Sequence, residues 1–181
     1  MNTIKDIDIS KKKVFIRVDF NVPLDSKQQI TDDAGIEAVL PTLKYALSRD
    51  ACIILASHLG RPKGQVKMEF SLQPVARRLG KTLGLEVMMA PDCIGGDVAA
   101  LADGMAGGQV LMLENLRFHE EETQNDSELE KPWLLSVTFI STMLLPYPIV
   151  PMHRWYPSRN MRPFRQQGCF SKRNSIFLKK P

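Results

Sequence analysis

The chain changes character after Glu130, and that break limits what can fold. Residues 1–130 carry 15 Lys+Arg against 20 Asp+Glu, whereas residues 131–181 carry 9 Lys+Arg and no acid. The net charge of +4 is therefore the sum of −5 and +9. Seven of the 12 prolines and both tryptophans (Trp133, Trp155) lie beyond residue 130, and residues 132–181 contain no alanine. A packed domain of about fifty residues without Asp, Glu or Ala departs sharply from average usage.

Three readings compete for this tail. Arg154, Trp155, Tyr156, Arg159, Arg162, Phe164 and Arg165 interleave cations and rings as a nucleic-acid arm does. Leu134–Val150 is an apolar run, but its 17 residues fall short of a bilayer span and include Pro146 and Pro148. The favoured reading is a downstream frame shifted by one base. Asp, Glu, Ala, Gly and Val are the residues with codons beginning in G, and the tail holds just Val137, Val150 and Gly168 of them. One base inserted near Glu130–Lys131, with synonymous codons chosen where the code allows, brings the acids and alanines back. The expectation is an irregular, proline-rich basic tail over 131–181 without a native fold, leaving an exposed sheet edge on the preceding domain.

Residues 1–130 alternate apolar strands with amphipathic helices. Val14–Val18, Cys52–Ala56, Glu86–Met89 and Val110–Leu113 read as short strands. Ile36, Val39, Leu40, Leu43 and Leu47 fall at helical spacing, with Pro41 placed near the helix start. Leu72, Val75, Ala76, Leu79 and Leu83 form a second stripe, with Ser71 as its N-cap, and Ile94–Leu101 a weaker helix. Unbroken apolar strands separated by helices predict an α/β domain: a Rossmann-like parallel sheet with helices on both faces.

Ligands of open α/β sheets bind beyond the carboxyl ends of the strands. Asp19-Phe20-Asn21, Ser57-His58-Leu59-Gly60-Arg61 and Glu114-Asn115-Leu116-Arg117-Phe118-His119 all follow strands, which gathers them on one rim. Arg61 and Arg117 carry planar forks suited to phosphate or carboxylate. Gly60 lets backbone approach a ligand, and Asp19 and Asn21 suit hydroxyl groups. The set predicts a small, phosphorylated, hydroxylated anion as ligand. His119–Glu122 reads as a solvated turn rather than a metal site, and Met88, Met89 and Met112 read as core. Neither G-x-x-x-x-G-K-[ST] nor G-x-G-x-x-G occurs, so no nucleotide loop is visible. The three cysteines (Cys52, Cys93, Cys169) show no paired spacing, which fits a reducing compartment. The mixed-charge first residues do not read as a secretory signal.

At these residues the chain resembles phosphoglycerate kinase. The similarity rests on RVDFNVPLD (Arg17–Asp25), ITDD (Ile30–Asp33), LPTLKYAL (Leu40–Leu47), ILASHLGRPKG (Ile54–Gly64), SLQPVARRLG (Ser71–Gly80), PDCIGGDV (Pro91–Val98) and VLMLENLRFHEEE (Val110–Glu122). The re-read tail continues it with N-D-A-F and H-R-A-H-A-S. The resemblance implies a cytoplasmic, monomeric glycolytic and gluconeogenic enzyme of two Rossmann-like domains. It transfers a phosphoryl group between 1,3-bisphosphoglycerate and ADP, giving 3-phosphoglycerate and ATP with magnesium. Residues 1–130 would be a partial N-terminal 3-phosphoglycerate-binding domain. Asp19, Phe20, Asn21, His58, Leu59, Gly60, Arg61 and Arg117 would bind the substrate, with no nucleic acid, membrane or protein metal involved.

The chain departs from the family in three places. Gly35 stands where the family carries its charge-stabilising arginine, so no catalytic residue is intact. The H-R-A-H arginine is absent as translated. The Mg-ATP/Mg-ADP domain has no counterpart in these 181 residues. The expected outcome is a chain without turnover on its own. The alternative is a non-catalytic module that captures small phosphorylated acids or, through the basic tail, polyanions.

Overall fold

The computed structural model describes residues 4–120, 122, 139–142, 161–164 and 175–179. Four strands come from the front of the chain: β1 (Lys13–Arg17), β2 (Cys52–Ala56), β3 (Val87–Met89) and β4 (Val110–Met112). Three helices separate them: α1 (Ala34–Ser48), α2 (Gln73–Leu83) and α3 (Gly96–Asp103). β5 (Phe139–Thr142), β6 (Met161–Phe164) and β7 (Ser175–Lys179) complete a sheet of order β3-β4-β2-β1-β5-β7-β6. The strands β3, β4, β2, β1 and β5 run parallel, and β7 pairs antiparallel with both β5 and β6.

The predicted α/β class is what the structure shows for the front of the chain. Strand period two sorts its apolar residues between two cores. Val14, Ile16, Ile53, Leu55, Val110 and Met112 join one core with Ile36, Val39, Leu43, Val75 and Leu79 of α1 and α2. Phe15, Cys52, Ile54, Ala56, Leu111 and Leu113 join the other with Val98 and Ala102 of α3. The order explains the split. The chain steps outward from β1 to β2 and β3, then back to β4 between them. With right-handed crossovers, reversing direction moves the connecting helix to the opposite face. Met112 is core as expected, while Met88 and Met89 are half-buried on the edge strand.

Three details correct the sequence reading. Pro41 lies mid-way along α1, not at its start, on an exposed position where water can reach the carbonyl it leaves without a donor. Leu72, not Ser71, is the N-cap of α2. The Ser71 hydroxyl still accepts from Gln73 N at 3.2 Å, and Glu114 finishes the cap by accepting from Leu72 N at 2.9 Å. A carboxylate there also complements the helix dipole. Finally, the outer edge of β1 is not bare: β5 pairs with it from Val14↔Phe139 to Arg17↔Thr142. The nucleic-acid and membrane-span readings of the tail rest on residues mostly outside the described ones. Among the described residues no helix is long and apolar enough to cross a membrane. Cys52 and Cys93 are free, and Cys169 lies outside the described residues.

Candidate functional site

The three polar segments converge where β1, β2 and β4 end. Backbone bonds continue the ladder past the strands: Val18 N donates to Ala56 O at 3.0 Å, and Leu116 N to Ser57 O at 3.1 Å. This fixes the loops relative to one another before any side chain contributes.

Asn115, fully buried, is the hub. Its Nδ2 donates to Leu59 O (2.7 Å) and Phe70 O (2.8 Å), and its Oδ1 accepts from Leu59 N (3.2 Å) and Arg117 N (3.0 Å). A primary amide has two N–H donors and two acceptor lone pairs, and all four are engaged. Asn115 thereby locks the loop after β2 onto the 3-10 turn Leu116–Phe118. Asn21 adds a second clamp, its Oδ1 accepting from Gly60 N at 2.9 Å. Gly60 sits at φ +62°, and a Cβ there would lie 2.5 Å from Phe70 Cε1. Glycine is therefore required twice over, by backbone conformation and by contact.

Arg117 reaches across this clamp, its Nη1 donating to Gly60 O at 2.8 Å. Its guanidinium is half-buried. Burial pushes its pKa down, Glu122 pulls it back up, and Arg17 and Arg61 push it down again. Arg17 pairs with Glu122 at 2.7 Å. The Arg117 Nε and the Glu122 Oε2 are both buried without a hydrogen-bond partner among the described residues. His58 is pushed down to about 4, first by burial and then by Arg117, with Asp19 opposing and Arg17 adding. At neutral pH it is an uncharged imidazole beside cations. Asp19 Oδ1 accepts from Asn21 N at 3.2 Å, which shapes the turn after β1.

The structure places the expected residues unequally. Asp19, His58 and Arg117 share one electrostatic neighbourhood, with the exposed Arg61 acting on Arg117. Asn21 and Gly60 meet directly. Phe20 and Leu59 are core side chains, 0% and 3% exposed, so toward a ligand they offer backbone alone. Phe20 N is itself taken by Ser57 Oγ at 2.9 Å. Gly35 stands in the first turn of α1, at the end of the helix that faces this rim. Beside it, Asp33 is paired with Arg78.

Arg17 and Glu122 lie outside the predicted rim segments, and Ser57 and Asn115 lie within them without a predicted role. The sequence signal for Asn115 is its place between Glu114 and the apolar Leu116, directly after the apolar strand Val110–Leu113. The solvated-turn reading of His119–Glu122 is corrected: Glu122 is 5% exposed and paired with Arg17, while His119 pairs with Asp92 at 2.7 Å.

Comparison with known proteins identifies the family. The family model for phosphoglycerate kinase matches residues 4–139. The cytosolic phosphoglycerate kinase of Triticum aestivum is 56% identical over 131 residues, covering 72% of this chain and 32% of its own length. That of Geobacter metallireducens is 58% identical over 120 residues, covering 66% and 30%. Among solved structures, phosphoglycerate kinase from Coxiella burnetii superposes with a TM-score of 0.65 at 35% identity, over 75% of this chain and 33% of that one. The enzyme from Pyrococcus horikoshii OT3 gives 0.69 at 28% identity, over 77% and 36%. The chain spans about a third of the length of these relatives.

Proposed function

Because the chain belongs to the phosphoglycerate kinase family, we propose that its rim is the 3-phosphoglycerate half of that enzyme's active site. The observation that carries this reading is a cluster of guanidiniums gathered around Arg117 at the rim. Arg17 and Arg61 both act on the Arg117 guanidinium, Glu122 and Asp19 oppose them, and His58 is neutral. A multiply charged anion completes such a cluster. Arg117, braced on Gly60 O, and the mobile-stemmed Arg61 would hold the ligand's phosphate or carboxylate by paired N–H donors. Asp19, Asn21 and neutral His58 would orient its hydroxyl and carboxylate. Their work is positioning and charge stabilisation of a phosphoryl group in flight.

Phosphoryl transfer between 1,3-bisphosphoglycerate and ADP needs a magnesium–nucleotide site as well. The described residues do not fit one. Magnesium prefers hard oxygen ligands, and the rim offers Asp19 among guanidiniums. The glycines at the start of α3 (Gly95, Gly96) lack the spacing and lysine of a phosphate loop. No step through the nucleotide is therefore assigned to this chain, and Gly35 in place of the family's arginine removes a stabiliser worth about 2.7–4 kcal/mol of barrier. The chain is expected to bind substrate without turning it over.

Isothermal titration of the full 181-residue chain with 3-phosphoglycerate tests this. Binding is expected, weakened at least about tenfold by Arg117→Met or Arg61→Ala, with no ATP formed in a coupled assay. A folded chain with no heat of binding overturns the reading, and measurable turnover overturns the assignment of half a site.

A further inference from the structure

Near the rim, on its β3–β4 side, lies a second group of side chains that the substrate reading does not use. Asp92 and Cys93 belong to the loop that follows β3, and His119 ends the 3-10 turn that follows β4. Backbone bonds hold the two loops side by side, Ala90 N to Met112 O at 2.8 Å and Glu114 N to Asp92 O at 3.3 Å. One ligand atom from each of Asp92, Cys93 and His119 falls within 4.8 Å of the other two. His119 Nε2 is 2.7 Å from Asp92 Oδ1, which also accepts from Cys93 N at 2.6 Å.

We propose that Asp92, Cys93 and His119 form a binding site for a divalent transition-metal ion of the zinc class. The donor set points to that class. Thiolate and imidazole select zinc-like ions over magnesium or calcium, and three protein donors plus solvent make an open tetrahedral site. Thiolate and carboxylate together balance a 2+ charge. Cys93 is fully buried, whereas the side chains of His119 and Asp92 are 21% and 44% exposed. An ion therefore enters past Asp92 and meets the sulfur at the floor. Bonds of about 2.0–2.3 Å hold tetrahedral donors roughly 3.3–3.8 Å apart, so side-chain rotations of about 1 Å close the present triangle.

The binding step balances simply. The Cys93 S–H bond breaks, the S–metal bond forms, and the proton leaves to solvent. The His119–Asp92 hydrogen bond opens, the ring proton it used shifts to the other imidazole nitrogen, and the freed nitrogen and an Asp92 carboxylate oxygen each donate a lone pair to the ion. No electron is transferred. Burial first, and then the neighbouring Asp92, push the Cys93 thiol well above its ordinary pKa. An ion therefore has to displace the Cys93 thiol proton and the hydrogen bonds around it.

The test is a Co²⁺ titration of the chelator-treated, full-length chain, read at the near-ultraviolet thiolate-to-cobalt charge-transfer band. A band saturating at one ion per chain is expected. Cys93→Ser should abolish it, and His119→Gln should weaken affinity about 100-fold or more. Cys52→Ala and Cys169→Ser should leave it intact, and Zn²⁺ should bleach it. His119→Gln alters a partly exposed ring and so separates loss of a ligand from loss of fold. A folded wild-type chain with no band overturns the proposal, as does a band surviving Cys93→Ser or unchanged affinity in His119→Gln. The 3-phosphoglycerate titration on the same sample reports the rim independently, because none of these residues is assigned to substrate binding.

Discussion

Replacing Asn115 probes how the rim is held together. Asn115→Ala removes four hydrogen bonds at once: to Leu59 N and O, Phe70 O and Arg117 N. A typical buried bond contributes about 0.5–1.5 kcal/mol net, so four give about 2–6 kcal/mol. That is a large fraction of the stability of an ordinary domain. Asn115→Asp is the sharper variant, since it keeps the shape and inverts the chemistry. The new oxygen faces the Leu59 and Phe70 carbonyls that Nδ2 served. A carboxylate there is desolvated and repelled, so its folded-state pKa rises above the unfolded value of about 3.9. The folded state then keeps a proton that the unfolded chain releases as pH rises. Stability of Asn115→Asp relative to wild type is thus best near pH 4, where the protonated acid can donate to one carbonyl, and falls through the raised pKa to its full deficit by pH 8. Urea unfolding followed by circular dichroism at both pH values reads this directly. A cost below about 1 kcal/mol for the alanine variant, or a pH-independent deficit for the aspartate variant, would refute the hub assignment.

Two further predictions come from the same rim. Gly60→Ala places a side chain at φ +62° and against the Phe70 ring, which should cost about 2–4 kcal/mol in urea unfolding and weaken 3-phosphoglycerate binding through the displaced Gly60 carbonyl. His58, depressed from 6.5 to about 4 in the folded chain, takes up its proton later than the unfolded chain does, so stability should decline by up to about 3 kcal/mol as pH falls from 6.5 to 4; His58→Gln should flatten that slope, and a His58 ring titrating normally by NMR would contradict it.

The sheet was legible in the sequence because its strands are apolar on both faces, a signature that survives without tertiary knowledge. VFI, CIILA and VLM each appeared as a strand within a residue or two of its observed ends. The helix stripes were equally plain, since Ile36, Val39 and Leu43 must face one core. What could not be read was long-range polar pairing. Glu114 caps a helix whose first residue lies some forty positions earlier, and Arg17 meets Glu122 across 105 residues. Such partnerships carry no local period. The same blindness turned His119–Glu122 into a solvated turn, because four consecutive polar residues look exposed until the fold buries one and pairs another. Pro41 was misplaced for a related reason: periodicity locates a helix face but not its first residue, and a proline on the wet side is tolerated mid-helix.

The buried polar atoms left over argue for what the rim is for. A domain selected for stability alone would pair each buried charge or exchange it for an apolar side chain of similar volume, which costs little and often gains. Here Arg117 Nε and Glu122 Oε2 are buried without a hydrogen-bond partner among the described residues, and the exposed Arg61 acts on the same cluster. Asn115 spends its entire hydrogen-bonding capacity on holding that arrangement rigid. Rigid scaffolding around clustered guanidiniums raises the cost of leaving them unliganded and lowers the cost of ordering side chains on binding. An anion carrying two or more charges recovers that difference, whereas a neutral sugar or a singly charged carboxylate recovers a fraction of it. The rim should therefore rank ligands by charge before shape, with 3-phosphoglycerate above glycerate by more than the one lost hydrogen-bonding group would suggest.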